Sequence, residues 1–293
     1  MTYFGGLMLD GTPYKLPVEV DLQFDLANHQ WERAAYTEFV VTKSRQTREM
    51  LECIEDIRVG ARDEERIDVF PAKEPNSPIV MFIHGGWWRG TTRKEWSYMA
   101  YGFHQLGYAV VISDYTLCPT VTIPDITQAS RAAVAWAYEH AETINGNKDR
   151  LFVCGHSAGG QQAGMIAVTD WTKYGLPADA VKGVVPMSGV FDMRVMQSGF
   201  LQPYIQLTGD TARTESALFN IPDVAPPIMV FLGDEESIEF HRQAEVFAEA
   251  WRAKGHRAEF MAMENEDHSS SIFAAGDPDS PACKAMVEFF ESC

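Results

Sequence analysis

The chain has few basic residues and few cysteines for its length. It holds 24 Lys and Arg against 41 Asp and Glu in 293 residues, which gives a formal net charge of −17 at pH 7. Nucleic acids and anionic membrane surfaces attract basic patches, so this balance argues against either as a partner. The five cysteines are scattered, odd in number and without C-x-x-C spacing. This pattern favours reduced thiols in a cytoplasmic protein over a disulfide framework.

Long apolar runs and metal-ligand motifs are also lacking. No run approaches the roughly 20 apolar residues that a membrane-spanning helix needs. The first residues have neither the basic nor the apolar region of a signal peptide. No grouping of His, Cys, Asp and Glu has ligand spacing such as H-E-x-x-H. We therefore expect a cytoplasmic protein that needs no metal or cofactor, and the sequence leaves a homodimer open.

What the chain does have is an alternation of strand-like and helix-like segments. Residues 56–59 and 66–70 alternate like two antiparallel strands, and 79–83 is an apolar run typical of a strand buried on both faces. The alternation that follows predicts an α/β-hydrolase plan, a mostly parallel sheet with helices on both faces. The eight predicted strands are 56–59, 66–70, 79–83, 108–112, 151–154, 181–187, 228–232 and 258–263.

Two segments stand apart from this alternation. Residues 1–50 contain polar-faced, helix-compatible stretches, and we interpret them as an N-terminal helical arm or cap packed on the body. Residues 193–220 are irregular and aromatic, and we interpret them as an insertion. No linker rich in Pro, Gly or Ser separates the arm from the rest, so 1–293 is expected to form a single domain.

The stretch GHSAG at 155–159 fits the G-x-S-x-G pattern of a nucleophile elbow. In such an elbow a strand turns sharply into a helix, with Ser157 at the apex. The apex serine takes a strained backbone conformation, so the residues two before and two after it need to be nearly without side chains. The pattern alone is common, and the alternative is a buried glycine-rich turn without chemistry. The strand-like and helix-like flanks favour a catalytic serine.

A serine hydroxyl is a poor nucleophile near neutral pH, so it needs a base, and the base needs an orienting acid. In an α/β-hydrolase the chain order is Ser, acid, His. Of the eight histidines, only His268 is predicted to lie in a loop after the last strand. The acid should follow the strand at 228–232, where Asp234, Glu235 and Glu236 all qualify. Spacing alone does not choose among these three.

Negative charge that develops on the attacked carbonyl needs backbone N–H donors. One donor follows the nucleophile, and one or two come from the loop after an earlier strand. The stretch HGGWW at 84–88 fits that loop, because its glycines let the backbone approach the substrate closely. We assign Gly86, Trp87 and Ala158 as the oxyanion-hole donors and expect His84 to hold the loop by hydrogen bonds.

Together these motifs resemble the hormone-sensitive-lipase-like branch of the α/β-hydrolases. The H-G-G-x-W form of the loop at 84–88, with DYTLCP at 114–119 after it, is similar to that of kynurenine formamidases (arylformamidases). The stretch GDEESIEFHRQ at 233–243 resembles that family's segment around the acid, written G-x-x-D-S-x-E-F-x-x-Q. On this resemblance the acid falls on Glu236, where the family usually has aspartate, and Asp234 stays in reserve.

The resemblance implies a serine hydrolase that cleaves a small ester or an N-formyl or other activated amide through an acyl-enzyme, without a cofactor. It also places Trp88, Tyr115 and Phe191 in an aromatic or acyl pocket, the alternative being that they are ordinary core aromatics. A carboxylesterase without formamidase activity is the second hypothesis. An acyl transferase or lactone-forming enzyme and a non-catalytic binding protein are further alternatives.

Overall fold

A computed structural model describes Tyr14, residues 16–25 and residues 33–293, the side chains of 33–37 excepted. Within this part of the chain, eight strands form one sheet. The strands are β1 (Ile54–Arg58), β2 (Arg66–Phe70), β3 (Ser77–Ile83), β4 (Ala109–Ser113), β5 (Gly146–His156), β6 (Gly183–Met187), β7 (Ile228–Gly233) and β8 (Ala258–Met263).

Helices surround this sheet. The α-helices of the described residues are α1 (Pro17–Phe24), α2 (Arg33–Met50), α3 (Tyr98–Gln105), α4 (Ile123–Glu139), α5 (Ala158–Ala167), α6 (Gln202–Ile205), α7 (Gly209–Thr214), α8 (Ile238–Ala253), α9 (Ser270–Ala275) and α10 (Pro281–Glu291). Four short 3-10 helices, at Ala141–Ile144, Trp171–Tyr174, Met193–Ser198 and Ala217–Phe219, lie between them. No helix in the described part of the chain is long and apolar enough to cross a membrane.

The strands are ordered β1-β2-β4-β3-β5-β6-β7-β8 across the sheet. Strand β2 pairs antiparallel with both β1 and β4, and all the other neighbours pair in parallel. The central strand β3 is buried along its whole length, as its continuous apolar run predicts. The predicted fold class is confirmed. Because β3, β5 and β7 run parallel, the loops that follow them meet at one edge of the sheet.

Three element predictions differ from the structure. The strand predicted at 151–154 extends over β5 (Gly146–His156), because the apolar run marks only the part that is buried throughout. The sequence predicts a helix-like segment from Gln161 onward, after the elbow, but the helix begins earlier, at Ala158, directly after the serine. The segment 193–220, predicted as irregular, contains α6, α7 and two of the 3-10 helices. Their short turns are too brief to show a helical period in the sequence.

The N-terminal arm is helical where the structure describes it, and the remaining residues of the arm (1–13, 15 and 26–32) lie outside the described residues. Helix α1 buries Val20 and Phe24 and packs against α8 and the 3-10 helix at Met193–Ser198. Helix α2 lies against α3. The arm therefore contacts the body at two separated places.

A buried serine joins α2 to the start of α3. The Ser44 hydroxyl donates to the carbonyl oxygen of Glu95 at 2.5 Å and accepts the backbone N–H of Tyr98 at 3.1 Å. Tyr98 is the first residue of α3, and the preceding Ser97 provides no side-chain cap. Since the first N–H groups of a helix have no intrahelical acceptor, Ser44 caps α3 from a neighbouring helix.

Replacing Ser44 by alanine should lower the free energy of unfolding by about 1–2 kcal/mol, because the buried N–H of Tyr98 loses its acceptor. Urea unfolding followed by circular dichroism measures this change. The exposed Gln46 on the same helix offers the control, and Gln46→Ala should stay within about 0.5 kcal/mol of the parent. Equal stabilities of the two variants would contradict the capping role.

Candidate active site

The elbow at Ser157 joins β5 directly to α5. Ser157 has φ 58° and ψ −116°, a region that residues with side chains rarely adopt. A Cβ atom on Gly155 would overlap the carbonyl oxygen of Gly159, and one on Gly159 would overlap that of Ile83. The glycines two before and two after the serine are therefore sterically required, as the motif predicts.

A buried carboxylate contacts the imidazole of His268. Glu236 Oε2 lies 2.7 Å from His268 Nδ1. The other oxygen, Oε1, accepts from the Ser188 hydroxyl at 2.5 Å and from the Gly233 backbone N–H at 2.9 Å. Both oxygens of this carboxylate therefore have hydrogen-bond partners, which fixes its orientation against the imidazole.

The structure brings only one of the three candidate acids to His268. All three follow β7, but the side chains of Asp234 and Glu235 are exposed, whereas that of Glu236 is buried. After β7 the backbone turns, and the Glu236 N–H donates to the carbonyl of Gly233. This turn brings Glu236, the third of the three candidates, back over the end of the strand. Of the three residues that spacing leaves open, Glu236 is the one whose carboxylate contacts His268, and its role as the acid stays a prediction.

The imidazole of His268 is enclosed on its other sides. The Phe240 ring lies 4.6 Å from it between centroids, and the ring of His156 lies 4.7 Å away. His156 Nε2 is 2.8 Å from the carbonyl oxygen of His268. Since His156 directly precedes Ser157, these contacts put His268 beside the elbow. His268 Nε2 is buried and has no hydrogen-bond partner among the described residues.

The loop after β3 has an unusual backbone. Gly86 has φ 115°, and both Trp87 and Trp88 have φ 56°. A Cβ atom on Gly86 would overlap the carbonyl oxygen of Gly90. Successive residues with positive φ turn their N–H groups in a direction that a regular strand or helix does not allow. The sequence motif at 84–88 predicts such close backbone geometry but not that both tryptophans would share it.

This loop lies against the elbow. A Cβ atom on Gly85 would come within 3.1 Å of Ser157 Cβ, so the two backbones approach as closely as a glycine permits. Ala158, the first residue of α5, follows the serine directly. The structure thus brings together the loop that contains Gly86 and Trp87 and the N-terminus of a helix, whose partial positive charge favours an anion.

His84 holds the base of the loop, as expected. Its Nδ1 lies 2.7 Å from the carbonyl oxygen of Gly85, and its Nε2 lies 3.0 Å from Asp114 Oδ1. The Tyr115 hydroxyl donates to the His84 carbonyl at 3.0 Å, and the two rings stack with centroids 4.3 Å apart. Asp114 and Tyr115, the first two residues of the motif at 114–119, therefore hold the base of this loop in place through His84.

An ion-pair network extends this support. Arg93 donates to Asp114 Oδ2 at 2.8 Å and to Asp68 Oδ1 at 2.9 Å, and it also contacts Asp56. Burial alone would raise the pKa of Asp114, but the hydrogen bond from His84 and the charge of Arg93 outweigh burial and hold that pKa below its ordinary value. Buried charges of this kind are tolerated because each has a partner.

The three aromatic residues predicted to line a pocket lie in the core instead. Trp88, Tyr115 and Phe191 are 0%, 1% and 0% exposed. The Trp88 indole N–H donates to Gln161 Oε1 at 3.0 Å, and Phe191 stacks on Phe247 with centroids 4.3 Å apart. The resemblance does not show how deeply a ring is buried, and in the structure all three rings pack in the core.

Four other rings cover the site. Trp87 packs against Phe24 and Phe200, with centroids 6.0 and 5.9 Å apart, and Phe24 lies 5.4 Å from Phe240. These rings come from the loop after β3, from α1, from the segment 193–220 and from α8. Phe240 lies within the stretch 233–243, so a sequence signal existed for it. Phe24 and Phe200 lie in segments without a motif.

The covered site has little open surface. Ser157 is 6% exposed and His268 is 4% exposed. A cavity of about 700 Å³ opens elsewhere, between α2, α3 and α9, and Glu266 and Ser270 form part of its wall. Within the described residues, no group of three or more His, Cys, Asp and Glu could hold a metal ion.

Comparison with known proteins identifies the family. The model of the BD-FAE family matches residues 67–251, more than half of the 293 residues. The chain belongs to the BD-FAE family. The match begins in β2 and ends within α8, and it therefore includes Ser157 and Glu236 but not His268.

Individual relatives agree with this assignment. A kynurenine formamidase of Danio rerio is 26% identical over 245 residues, 81% of this chain and 82% of that protein. The esterase LipQ of Mycobacterium tuberculosis is 24% identical over 71% of this chain and 53% of that protein. A crystal structure of a proposed thioesterase from Silicibacter sp. TM1040 has a TM-score of 0.80 at 25% identity, covering 92% of this chain and 99% of that one.

BD-FAE membership and these relatives confirm the resemblance to the arylformamidases and carboxylesterases of the α/β-hydrolase fold. They support a hydrolase of the esterase and arylformamidase type. The expectations of a homodimer, of a cytoplasmic location and of no nucleic-acid partner stay predictions.

Replacing Asp114 by asparagine should destabilise the protein near neutral pH and make its stability less sensitive to acid. Because the pKa of Asp114 is lower in the folded state, its contribution is present above the ordinary value of 3.8 and is lost as the pH falls through the folded value. As the pH is lowered, the free energy of unfolding of the Asp114→Asn variant should therefore fall less steeply than that of the parent. Urea unfolding at a series of pH values measures this slope.

The exposed Asp210 serves as the control for this measurement. Asp210→Asn should follow the parent curve at every pH. A variant at Asp114 that also follows the parent curve would show that the buried network contributes nothing to acid sensitivity.

Proposed function

We propose that this protein is a serine hydrolase that cleaves a small ester or an N-formyl or other activated amide bond through an acyl-enzyme. Ser157 is the nucleophile, His268 the general base and Glu236 the orienting acid. The observation that carries the proposal is the buried 2.7 Å contact between Glu236 Oε2 and His268 Nδ1, next to a serine at a strained elbow. A carboxylate on Nδ1 leaves Nε2 as the basic nitrogen.

In the first half of the reaction, His268 Nε2 takes the Ser157 hydroxyl proton as Oγ attacks the substrate carbonyl carbon. The imidazolium that forms is stabilised by Glu236. The negative charge on the carbonyl oxygen is stabilised by backbone N–H groups of Gly86, Trp87 and Ala158. When the tetrahedral intermediate collapses, the bond to the leaving alcohol or amine breaks, and His268 returns the proton to it.

In the second half, water attacks the acyl-enzyme. His268 Nε2 accepts a proton from the water as its oxygen bonds to the acyl carbon, and the same N–H donors stabilise the oxyanion. Ser157 Oγ then leaves and regains its proton from His268, which releases the carboxylic acid. Each proton taken is returned, so the residues end in their starting states and no co-reactant other than water is needed.

The enclosure of the site supports a small acyl group. Phe240 packs on the His268 imidazole, Phe24 packs on Phe240 and on Trp87, and Phe200 packs on Trp87. Ser157 itself is only 6% exposed. A formyl group is the smallest acyl group, and an aryl amine offers a flat apolar face to these rings. Together with the similarity to a kynurenine formamidase, this favours an arylformamide over a long-chain ester.

The first test compares hydrolysis of N-formylkynurenine with that of p-nitrophenyl acetate and butyrate, by the parent and by Ser157→Ala. We expect the formamide to be turned over fastest and Ser157→Ala to lower kcat/KM by about 10³-fold or more on every substrate. Ser130, a buried serine of α4, supplies the control, and Ser130→Ala should keep the parent rates.

The outcomes separate the hypotheses. Cleavage of the esters alone, still dependent on Ser157, would identify a carboxylesterase without formamidase activity. Full activity of Ser157→Ala would exclude the serine mechanism. If neither substrate class is cleaved and a fluorophosphonate fails to label Ser157, the protein is a binding protein with a hydrolase fold.

A second prediction concerns the acid. Glu236→Gln keeps the size of the side chain but removes the charge that stabilises the imidazolium, so kcat should fall by about 10³-fold or more. Asp234→Asn removes a neighbouring exposed carboxylate, and its kcat should stay within about twofold of the parent. Steady-state kinetics on the best substrate decides between them. The reverse ranking would assign the acid to Asp234.

A further inference from the structure

The residue before the elbow serine makes its own contact with the proposed base. His156 is buried, and its Nε2 lies 2.8 Å from the backbone carbonyl oxygen of His268. A carbonyl oxygen can only accept, so the proton is on Nε2 and His156 donates. The contact joins the end of β5, which carries Ser157, to the loop that carries His268.

The imidazole of His156 has no second hydrogen bond. Its Nδ1 is buried and unpartnered among the described residues. Its ring packs against Trp96, with centroids 5.8 Å apart, and against the ring of His268 at 4.7 Å. Burial holds the pKa of His156 well below its ordinary value, and the nearby His268 lowers it further. The side chain is therefore a neutral donor that puts no charge beside His268.

This donor completes the restraint on His268. Glu236 holds the imidazole at Nδ1, and the Glu235 N–H donates to the Glu266 carbonyl at 3.0 Å, which connects the loop to the turn after β7. Asp267 accepts the N–H groups of Ser269 and Ser270 through Oδ1, which shapes the loop without connecting it to β5. His156 supplies a connection to β5. Since a misplacement of 1 Å can cost about a hundredfold in rate, such a restraint matters for catalysis.

We propose that His156 is a positioning residue for the hydrolytic reaction. Its Nε2–H holds the His268 backbone to the strand that carries Ser157, so that the base and the nucleophile keep their spacing while Glu236 holds the far side of the ring. This inference rests on the proposed function. It assigns no contact with the substrate to His156.

Three variants test the donor. His156→Phe keeps a ring between Trp96 and His268 but has no N–H. His156→Gln places an amide N–H near the position of Nε2. His104 is the matched control, because it is a buried histidine whose Nε2 lies 3.2 Å from the carbonyl oxygen of Pro71 and whose Nδ1 is also unpartnered among the described residues.

We expect His156→Phe to lower kcat roughly tenfold, with KM within about twofold, because the loss affects the reacting groups and not substrate binding. His156→Gln should restore kcat to within about threefold of the parent. His104→Phe should leave kcat unchanged, although it loses the same type of hydrogen bond. Steady-state kinetics on the best substrate and the rate of Ser157 labelling by a fluorophosphonate give two independent readouts.

Two results would overturn the proposal: parent-like kcat in folded His156→Phe, or a kcat of His156→Gln as low as that of His156→Phe. If His156→Phe does not fold, His156→Asn takes its place, because the shorter amide cannot reach the carbonyl of His268. The kcat of His156→Asn should be low, whereas that of His156→Gln should be close to the kcat of the parent. Failure of the proposed function is recognised separately, since in that case Ser157→Ala keeps the parent activity or the parent itself cleaves neither substrate class.

Discussion

The backbone of Ser157 has a conformation that residues with side chains rarely adopt, and the surrounding packing has to hold it there. Gly155 and Gly159 let the junction of β5 and α5 close against the end of β3, where a Cβ atom at either position would overlap a carbonyl oxygen. This close approach also sets the position of the loop after β3. The N-terminus of α5 and the backbone of Gly86 and Trp87 consequently lie side by side, which is what our proposed oxyanion site requires.

Two buried histidines meet at this elbow, and their partners differ. His268 has a carboxylate 2.7 Å from Nδ1, which in the proposed mechanism orients the ring with Nε2 toward the serine. His156 has a backbone carbonyl on Nε2, and burial lowers its pKa and keeps it neutral. A second positive charge 4.7 Å from His268 would oppose proton transfer to that ring. In the proposed mechanism, the same residue type is thus a base in one place and an uncharged hydrogen-bond donor in the other, because of what each ring contacts.

Much of the fold could be predicted because its signals are local. The continuous apolar run of β3 reflects burial on both faces, and the glycine motif around Ser157 spans only five residues of chain. The cover of the site could not be predicted in this way. Phe24, Trp87, Phe200 and Phe240 come from four separate segments, and only the folded chain brings their rings together. Trp88, Tyr115 and Phe191, which the resemblance places in a pocket, pack in the core.

The sequence by itself determined the succession of strands along the chain, the elbow motif at 155–159 and the glycine loop at 84–88, because apolar periodicity and short glycine motifs are patterns of a few neighbouring residues. Only the tertiary structure decided which of three adjacent carboxylates reaches His268. It also decided that His156 binds the backbone of a residue 112 positions away. These pairings depend on where a turn after β7 and a loop after β8 come to lie against β5, and no local pattern encodes a distance between separate strands.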